Sequence, residues 1–507
     1  MSFPRASGIL LHPTSLPGSF GIGDLGNWAY WFADFLIGTR QRLWQVLPLG
    51  PTGYGNSPYQ CLSAFAGNPL LISLETLAHD GFLEPIDLDN APSFPVDSVE
   101  YDSVIRFKTA LLRKSFEIFQ RKGSASSREQ FEAFCNANAR WLETYSLFMA
   151  LKEAHGLAAW NTWEEDIRKR QPESLKRWSK ELSRETQCQK YQQYQFFRQW
   201  SELKKYCNEH GIRIIGDMPI FVALDSAEVW SHPEMFHLDD SGKPIVVAGV
   251  PPDYFSRTGQ FWGNPLYRWD VIARDGYSWW IERFRATYNL VDIIRLDHFR
   301  GFEKYWEIPA TSTTAINGRW VPGPGAKFFE AVQKALGKLP IIAENLGVIT
   351  PEVEALRERF GFPGMKVLQF AFGDDTEDED NMPHNYPRNC VVYTGTHDNN
   401  TSIGWFRGED IRDSTQTRQQ REKEKQAALK YLGTDGRQIN WDFIRLALTC
   451  PADMAIIPLQ DVLGLGSEAR MNVPGKAEGN WCWRFRPEML TDEIRARLRE
   501  LTTISGR

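Results

Sequence analysis

Eight short apolar runs, most of them closing on a polar or charged residue, constrain this chain more than any other feature. They lie at 8–11, 43–47, 213–216, 291–296, 340–343, 366–370, 390–393 and 454–458. Runs of this length separated by helical stretches predict strands that each feed a helix, and eight of them predict a (β/α)8 TIM barrel. Helical periodicity is plain over 103–121, over 189–209 with Gly211 just beyond as a stop signal, and over 412–432. Two connections are too long for a βα loop: about 165 residues part the second and third runs and about 75 the third and fourth, against the usual 2 to 6 or so. Each predicts an insertion over the C-terminal face of the barrel. The first, 55–190, reads as mostly helical, and the second, 218–275, is rich in Gly, Pro and aromatics. No fixed-period repeat and no Pro- or Ser-rich linker divides the chain, so 1–507 reads as one decorated barrel.

Composition removes several classes of partner. No apolar run approaches the ~20 residues of a membrane span. A net charge of −6 gives no clustered basic footprint for nucleic acid. The 7 cysteines are odd in number, scattered and without a CxxC pair, which predicts neither a disulfide framework nor a zinc site and suggests a reducing compartment. The start lacks the pattern of a secretory signal, so the expected location is the cytoplasm; a plastid address would require a transit peptide trimmed from this start. No obligate protein partner is evident. Aromatic residues make up 13% of the chain, including 19 Trp. Their rings suit the flat CH faces of sugars, although a Trp-rich core would leave the same count.

Three carboxylates stand at or just beyond expected strand ends, where barrel enzymes build their sites: Asp297, Glu344 and Asp398. Residues two apart on a strand share a face, so Arg295 is expected beside Asp297, favouring the ionised form a nucleophile needs. Glu344 follows the apolar run 339–343, and partial burial would raise its pKa and keep a proton for a leaving oxygen. Two such groups about 5 to 5.5 Å apart define a retaining glycosidic mechanism. Asp398 and His397 would then grip sugar hydroxyls. Any one of these acids alone reads more simply as a solvated strand-end carboxylate; three together favour a site.

Other signals read as structural. Gly21-Ile-Gly-Asp-Leu-Gly26 fits the dinucleotide fingerprint but lies well past its strand and lacks the acid about 20 residues on. The acidic run 374–380 lacks the order of a calcium loop, His232 and His237 form no ligand pair, and the sequon at Asn399 falls inside the expected site.

Longer strings carry a resemblance over almost the whole chain. They include Gly8-Ile-Leu-Leu-His-Pro-Thr-Ser-Leu-Pro-Gly, Trp44-Gln-Val-Leu-Pro-Leu-Gly-Pro-Thr-Gly-Tyr-Gly-Asn-Ser-Pro-Tyr-Gln, Gly216-Asp-Met-Pro-Ile-Phe-Val-Ala, Gly259-Gln-Phe-Trp-Gly-Asn-Pro-Leu-Tyr, the three acid motifs and Arg470-Met-Asn-Val-Pro-Gly. The chain resembles the amylomaltases, the 4-α-glucanotransferases or disproportionating enzymes of the α-amylase clan. That resemblance implies a decorated (β/α)8 barrel, no metal or organic cofactor, and malto-oligosaccharides and α-glucans as substrates. It also implies Asp297 as nucleophile, Glu344 as acid/base and Asp398 as transition-state stabiliser. Arg295, His397 and Asp217 would contact the donor sugar at the cleavage point, with Ser57, Tyr59, Trp262 and Asn472 lining the groove and Gln260, Tyr254 and Phe370 on the acceptor side. Departures are small: Met218, Phe221 and Glu228 stand where Leu, Tyr and Asp are common. Tyr101 reads equally as part of a remote glucan-binding surface or as an ordinary exposed tyrosine. An α-glucan hydrolase of the same clan and a non-catalytic glucan-binding protein are the alternatives.

Overall fold

In the computed structural model, which describes residues 3–252, 256–373, 381–409 and 416–507, the chain runs through twelve strands. These are β1 (Ala6–Leu10), β2 (Leu43–Gln45), β3 (Arg213–Pro219), β4 (Val246–Val250), β5 (Gln260–Pro265), β6 (Ile293–Asp297), β7 (Lys304–Pro309), β8 (Arg319–Pro322), β9 (Ile341–Ala343), β10 (Gly364–Val367), β11 (Cys390–Tyr393) and β12 (Met454–Pro458). Eight of them pair in parallel in the order β10-β11-β12-β1-β2-β3-β6-β9. The ring closes between β9 and β10, where the Ala343 N–H donates to the Pro363 carbonyl at 2.9 Å and the Met365 N–H to Asn345 Oδ1 at 2.7 Å. This is the (β/α)8 barrel the eight runs predict.

The runs are almost wholly apolar because each strand is buried on both faces. Leu43, Ile215, Ile293, Ile342, Val391, Met454 and Ile456 fill the barrel interior. Their neighbours Trp44, Ile214, Ile294, Ile341, Val392 and Ile457 pack outward in the helix-covered layer. One run is displaced. The sequence places a strand at 366–370, but the chain is extended over Gly364–Val367 and then tightens into a 3-10 turn at Leu368–Phe370.

Between β2 and β3 the chain is helical, and its longest helix, Ser183–Glu209, buries residues along much of its length. Tyr101–Lys122 buries Tyr101, Val104, Lys108, Leu112, Ser115 and Phe119, an i, i+3, i+4 stripe, and stops at Gly123. Within the helical pattern over 412–432, of which 412–415 lie outside the described residues, a helix runs over Arg418–Leu432; Thr417 caps it in a reciprocal box with Gln420, and it ends on left-handed Gly433. β4 and β5 form a second, antiparallel sheet in the order β5-β4-β7-β8. Its other half, β7 and β8, comes from the connection after β6. No helix among the described residues is long and apolar enough to cross a membrane.

Close approach of β1 to β2 requires glycine at position 8, where an added Cβ would lie 2.2 Å from the Leu43 carbonyl oxygen and 2.4 Å from Leu43 Cβ. Gly38, at the end of a helix, has nothing within 4 Å of the same position. We therefore expect Gly8→Ala to destabilise by about 1–3 kcal/mol through overpacking. Gly38→Ala should be neutral or slightly stabilising. Denaturation midpoints of the two variants check this, and equal midpoints would refute the packing argument.

Candidate active site

Strand register builds the centre of the site. β3 and β6 pair Asp217 with Arg295, and β6 and β9 pair Leu296 with Ala343. Asp297 and Glu344, one residue further along each strand, therefore emerge side by side at the C-terminal edge. Arg295 Nη1 donates to Asp217 Oδ1 and Oδ2 at 2.8 and 2.7 Å and to Asp297 Oδ1 at 2.9 Å. The Asp217 side chain is fully buried and that of Arg295 nearly so, whereas Asp297 keeps 25% of its side-chain surface open toward the cleft. Burial disfavours the guanidinium charge, but Asp217 and Asp297 outweigh it and hold Arg295 well above the ordinary arginine pKa.

Glu344 accepts from two backbone N–H groups, His298 to Oε2 and Leu346 to Oε1, both at 2.8 Å. Burial is the main force on its carboxyl; Arg295 pulls the pKa down and Asp297 pushes it up, and the result is about 7. His298 reaches this position through a left-handed backbone, φ 51°. Its ring meets Trp262 edge-on at 4.8 Å, and burial lowers its pKa to about 4, so it is neutral.

On the other side, Tyr59 donates to Asp217 Oδ2 at 2.8 Å. Burial and the Asp217 charge hold its phenol well above the usual value, so the proton it donates stays in place. Its ring stacks on His397 with centroids 5.0 Å apart. His397 Nε2 lies 3.4 Å from Asp398 Oδ2, and Asn472 Nδ2 donates to Asp398 Oδ1 at 2.6 Å.

Among the residues expected at the site, Asp217, Arg295, Asp297, Tyr59, His397, Asp398 and Asn472 thus form one connected chain of polar and ring contacts, with Glu344 beside it. Ser57 Oγ accepts the Tyr59 N–H at 3.2 Å. Gln260 and Trp262 sit on β5, where Trp262 Nε1 donates to Gln260 Oε1 at 3.1 Å. Phe370 stands on the turn after β10 with 38% of its surface exposed. Tyr254, Phe255 and the acidic run 374–380 lie outside the described residues. Among the described residues, no group of three or more His, Cys, Asp or Glu is arranged to hold a metal ion.

Tyr101 matches neither sequence reading: it is buried, and its hydroxyl donates to the Trp481 carbonyl at 3.0 Å. The glycine-rich string 21–26 shapes a loop in which Asp24 accepts the Gly26 N–H and faces Lys108 at 3.6 Å. Four participants escaped the sequence. The His298 and Leu346 N–H groups act through backbone, and Arg470 donates to the Asp398 and Asn472 carbonyls at 2.6 and 2.8 Å. Trp481 packs against both Tyr59 and His397, with centroids 5.8 and 6.0 Å away. Only Arg470 left a signal, as the first residue of a quoted motif.

A barrel with a carboxylate cluster at the C-terminal ends of its strands defines this protein as a (β/α)8 enzyme. Residues 11–491 match the family model described as 4-alpha-glucanotransferase, and the chain belongs to that family. It is 53% identical to the 4-alpha-glucanotransferase of Thermus thermophilus, with all of both chains covered. It is 52% identical to that of a Synechocystis species over 99% of this chain and 98% of the relative. The solved amylomaltase from Streptococcus agalactiae, in complex with acarbose, superposes with a TM-score of 0.94 at 41% identity over 99% of each chain.

The pKa of Glu344 has a consequence for stability. Between the ordinary value of 4.5 and about 7, the folded protein holds a proton that the unfolded chain has released. The resulting stabilisation is present below 4.5 and is lost as pH rises through 7. Glu344→Gln removes that dependence, so the variant should melt higher than wild type at pH ~8 and close to it at pH ~5. A Tm difference that is the same at both pH values would refute the assignment.

Proposed function

We propose that this protein transfers α-1,4-glucan segments from a donor malto-oligosaccharide to the 4-hydroxyl of an acceptor glucose or glucan by a retaining double displacement. The observation that carries the reading is the unequal pair at the barrel edge: Asp297 is bound to the Arg295 guanidinium, and neighbouring Glu344 is raised to about 7. In the first step Glu344 gives its proton to the glycosidic oxygen while an Asp297 oxygen bonds to the anomeric carbon. The carbon–oxygen bond to the leaving sugar breaks, leaving a glycosyl ester on Asp297. In the second, Glu344 takes the proton of the acceptor hydroxyl, whose oxygen displaces Asp297.

Asp398, held by Asn472 and facing His397, is positioned to bind donor-sugar hydroxyls as positive charge develops on the ring. Asp217, Arg295 and Tyr59 form the buried base of that pocket, Ser57 and Trp262 line the groove, and Gln260 and Phe370 face the acceptor. All seven cysteines are free thiols, which fits a reducing compartment such as the cytoplasm.

Maltotriose incubated with the protein should give longer oligosaccharides plus glucose at constant total reducing ends, and Asp297→Asn should abolish both products. A rise in reducing ends without longer chains would instead make it a hydrolase, and binding without turnover would make it a glucan-binding protein. Because the first step needs protonated Glu344, kcat/KM should fall as pH rises through about 7. Transfer also requires that water be excluded from the ester. Trp262, on β5 with its ring 4.8 Å from that of His298, is the aromatic group beside the acids that would shield it. Replacing it with Ala should raise the hydrolysed fraction several-fold, and an unchanged fraction would refute that role.

A further inference from the structure

Trp481 is a bulky residue at φ 64°, in the left-handed region where side chains other than Gly, Asn and Asp are unfavourable. The surrounding contacts impose that conformation. The Trp481 N–H donates to the Met471 carbonyl at 2.8 Å, the Tyr101 hydroxyl to the Trp481 carbonyl at 3.0 Å, and the Val99 N–H to the Cys482 carbonyl at 2.8 Å. Asn480 seals the loop just before it, accepting from the Val473 N–H at 2.9 Å and donating to the Lys476 carbonyl at 2.8 Å. Three hydrogen bonds therefore fix three successive peptide units around one ring, and two more, made by the Asn480 side chain, hold the loop just before it.

That ring belongs to the cluster that fills the barrel interior, together with Leu47, Tyr393 and Met471. It is 5% exposed, and it packs against Tyr59 and His397 at centroid distances of 5.8 and 6.0 Å. Tyr59 and His397 are the two rings whose polar atoms meet Asp217 and Asp398.

We propose that Trp481, latched by Tyr101 of the helical insertion, is a positioning residue that forms the floor on which the Tyr59 and His397 rings are aligned beside the cleavage point. The inference rests on the transferase reading above. Trp481 itself would touch no substrate; it acts through those two rings. The hydrogen bond from Tyr101 ties this floor to the first turn of the helix Tyr101–Lys122, so the insertion contributes to the site from behind as well as over the barrel face. Backbone strain kept at one bulky residue next to reacting groups is what a positioning role accounts for, whereas a residue that only filled the core would not need it.

The test compares wild type with Trp481→Leu, Trp481→Phe and Tyr101→Phe, measuring kcat and KM for maltotriose transfer together with the Tm of each. Misaligned rings should weaken the transition state while the rest of the groove still holds the chain. We expect Trp481→Leu to lower kcat by ~10²-fold with KM changed by less than about threefold. Trp481→Phe, which restores a flat ring, should recover most of the loss. Should Trp481→Leu fail to fold, Tyr101→Phe decides, because it deletes only the latch; a several-fold fall in kcat at unchanged KM is expected. Wild-type kcat in Tyr101→Phe and in any folded Trp481 variant overturns the proposal. So does a loss of kcat that only tracks the folded fraction. A wild type that exchanges no chains overturns the transferase reading itself, and with it this role, and is told apart because no variant is needed to see it.

Discussion

The buried guanidinium of Arg295 is the interaction on which the rest of this molecule depends. Taking such a charge out of water costs several kcal/mol, and only close, well-directed anions offset it. Asp217 supplies both carboxylate oxygens from the neighbouring strand and Asp297 supplies one from two residues along the same strand. Both placements follow from β-sheet geometry. Asp217 faces Arg295 because of the β3/β6 register, and Asp297 shares its face because side chains alternate with a period of two. A slip of one residue in β6 would turn Arg295 and Asp297 together into the helix-packed layer and leave the buried Asp217 carboxylate without its counter-charge. The hydrophobic runs that pin the register are therefore also what keeps Arg295 against Asp217 inside the barrel.

The same cation sets apart groups of similar chemistry. Glu344 feels Arg295 as a pull toward ionisation, yet burial and the Asp297 charge together exceed it, and its carboxyl stays protonated to about pH 7. Tyr59 is pushed the same way, by burial and then by the Asp217 charge, and remains a donor. Because its single hydrogen goes to Asp217, its oxygen can only accept from His397 Nδ1, 3.4 Å away, which places a proton on that nitrogen. The remaining His397 nitrogen faces Asp398. One buried charge thus orders the donors and acceptors of the site from the barrel interior to its open edge.

How much of this was legible in the chain follows from where each determinant lies. Strands buried on both faces leave continuous apolar runs, so the eight runs stand out, and the acids that follow them stand at strand ends. The tenth strand was displaced because Leu368, Gln369 and Phe370 prolong its apolar character into a turn that only backbone geometry defines. β4, β5, β7 and β8 went unread because they belong to a smaller antiparallel sheet outside the barrel, and β8 spans only four residues, Arg319–Pro322. His298 and Leu346 contribute N–H groups, which every residue carries. Tyr101 was ambiguous because the first turn of an amphipathic helix can face either way; its burial depends on Trp481, far along the chain.

Two left-handed residues, His298 and Trp481, flank the row of acids, and the two insertions meet the barrel at these points. Strain of this kind costs on the order of 1–3 kcal/mol per residue and persists only where surrounding contacts over-determine it. At His298, directly after Asp297, the residue's own N–H donates to the Glu344 carboxylate, and the left-handed turn sends the following Phe299 N–H to the Glu344 carbonyl and lays the imidazole against Trp262 of the second sheet. At Trp481 it turns an indole under Tyr59 and His397 and leaves the carbonyl for Tyr101 of the helical insertion. A barrel edge alone fixes where the acids emerge, since register sets that. It does not fix how the groups around them are turned, because loops beyond the last ladder bond have no partner strand to hold them. The insertions supply that missing constraint, one on each side.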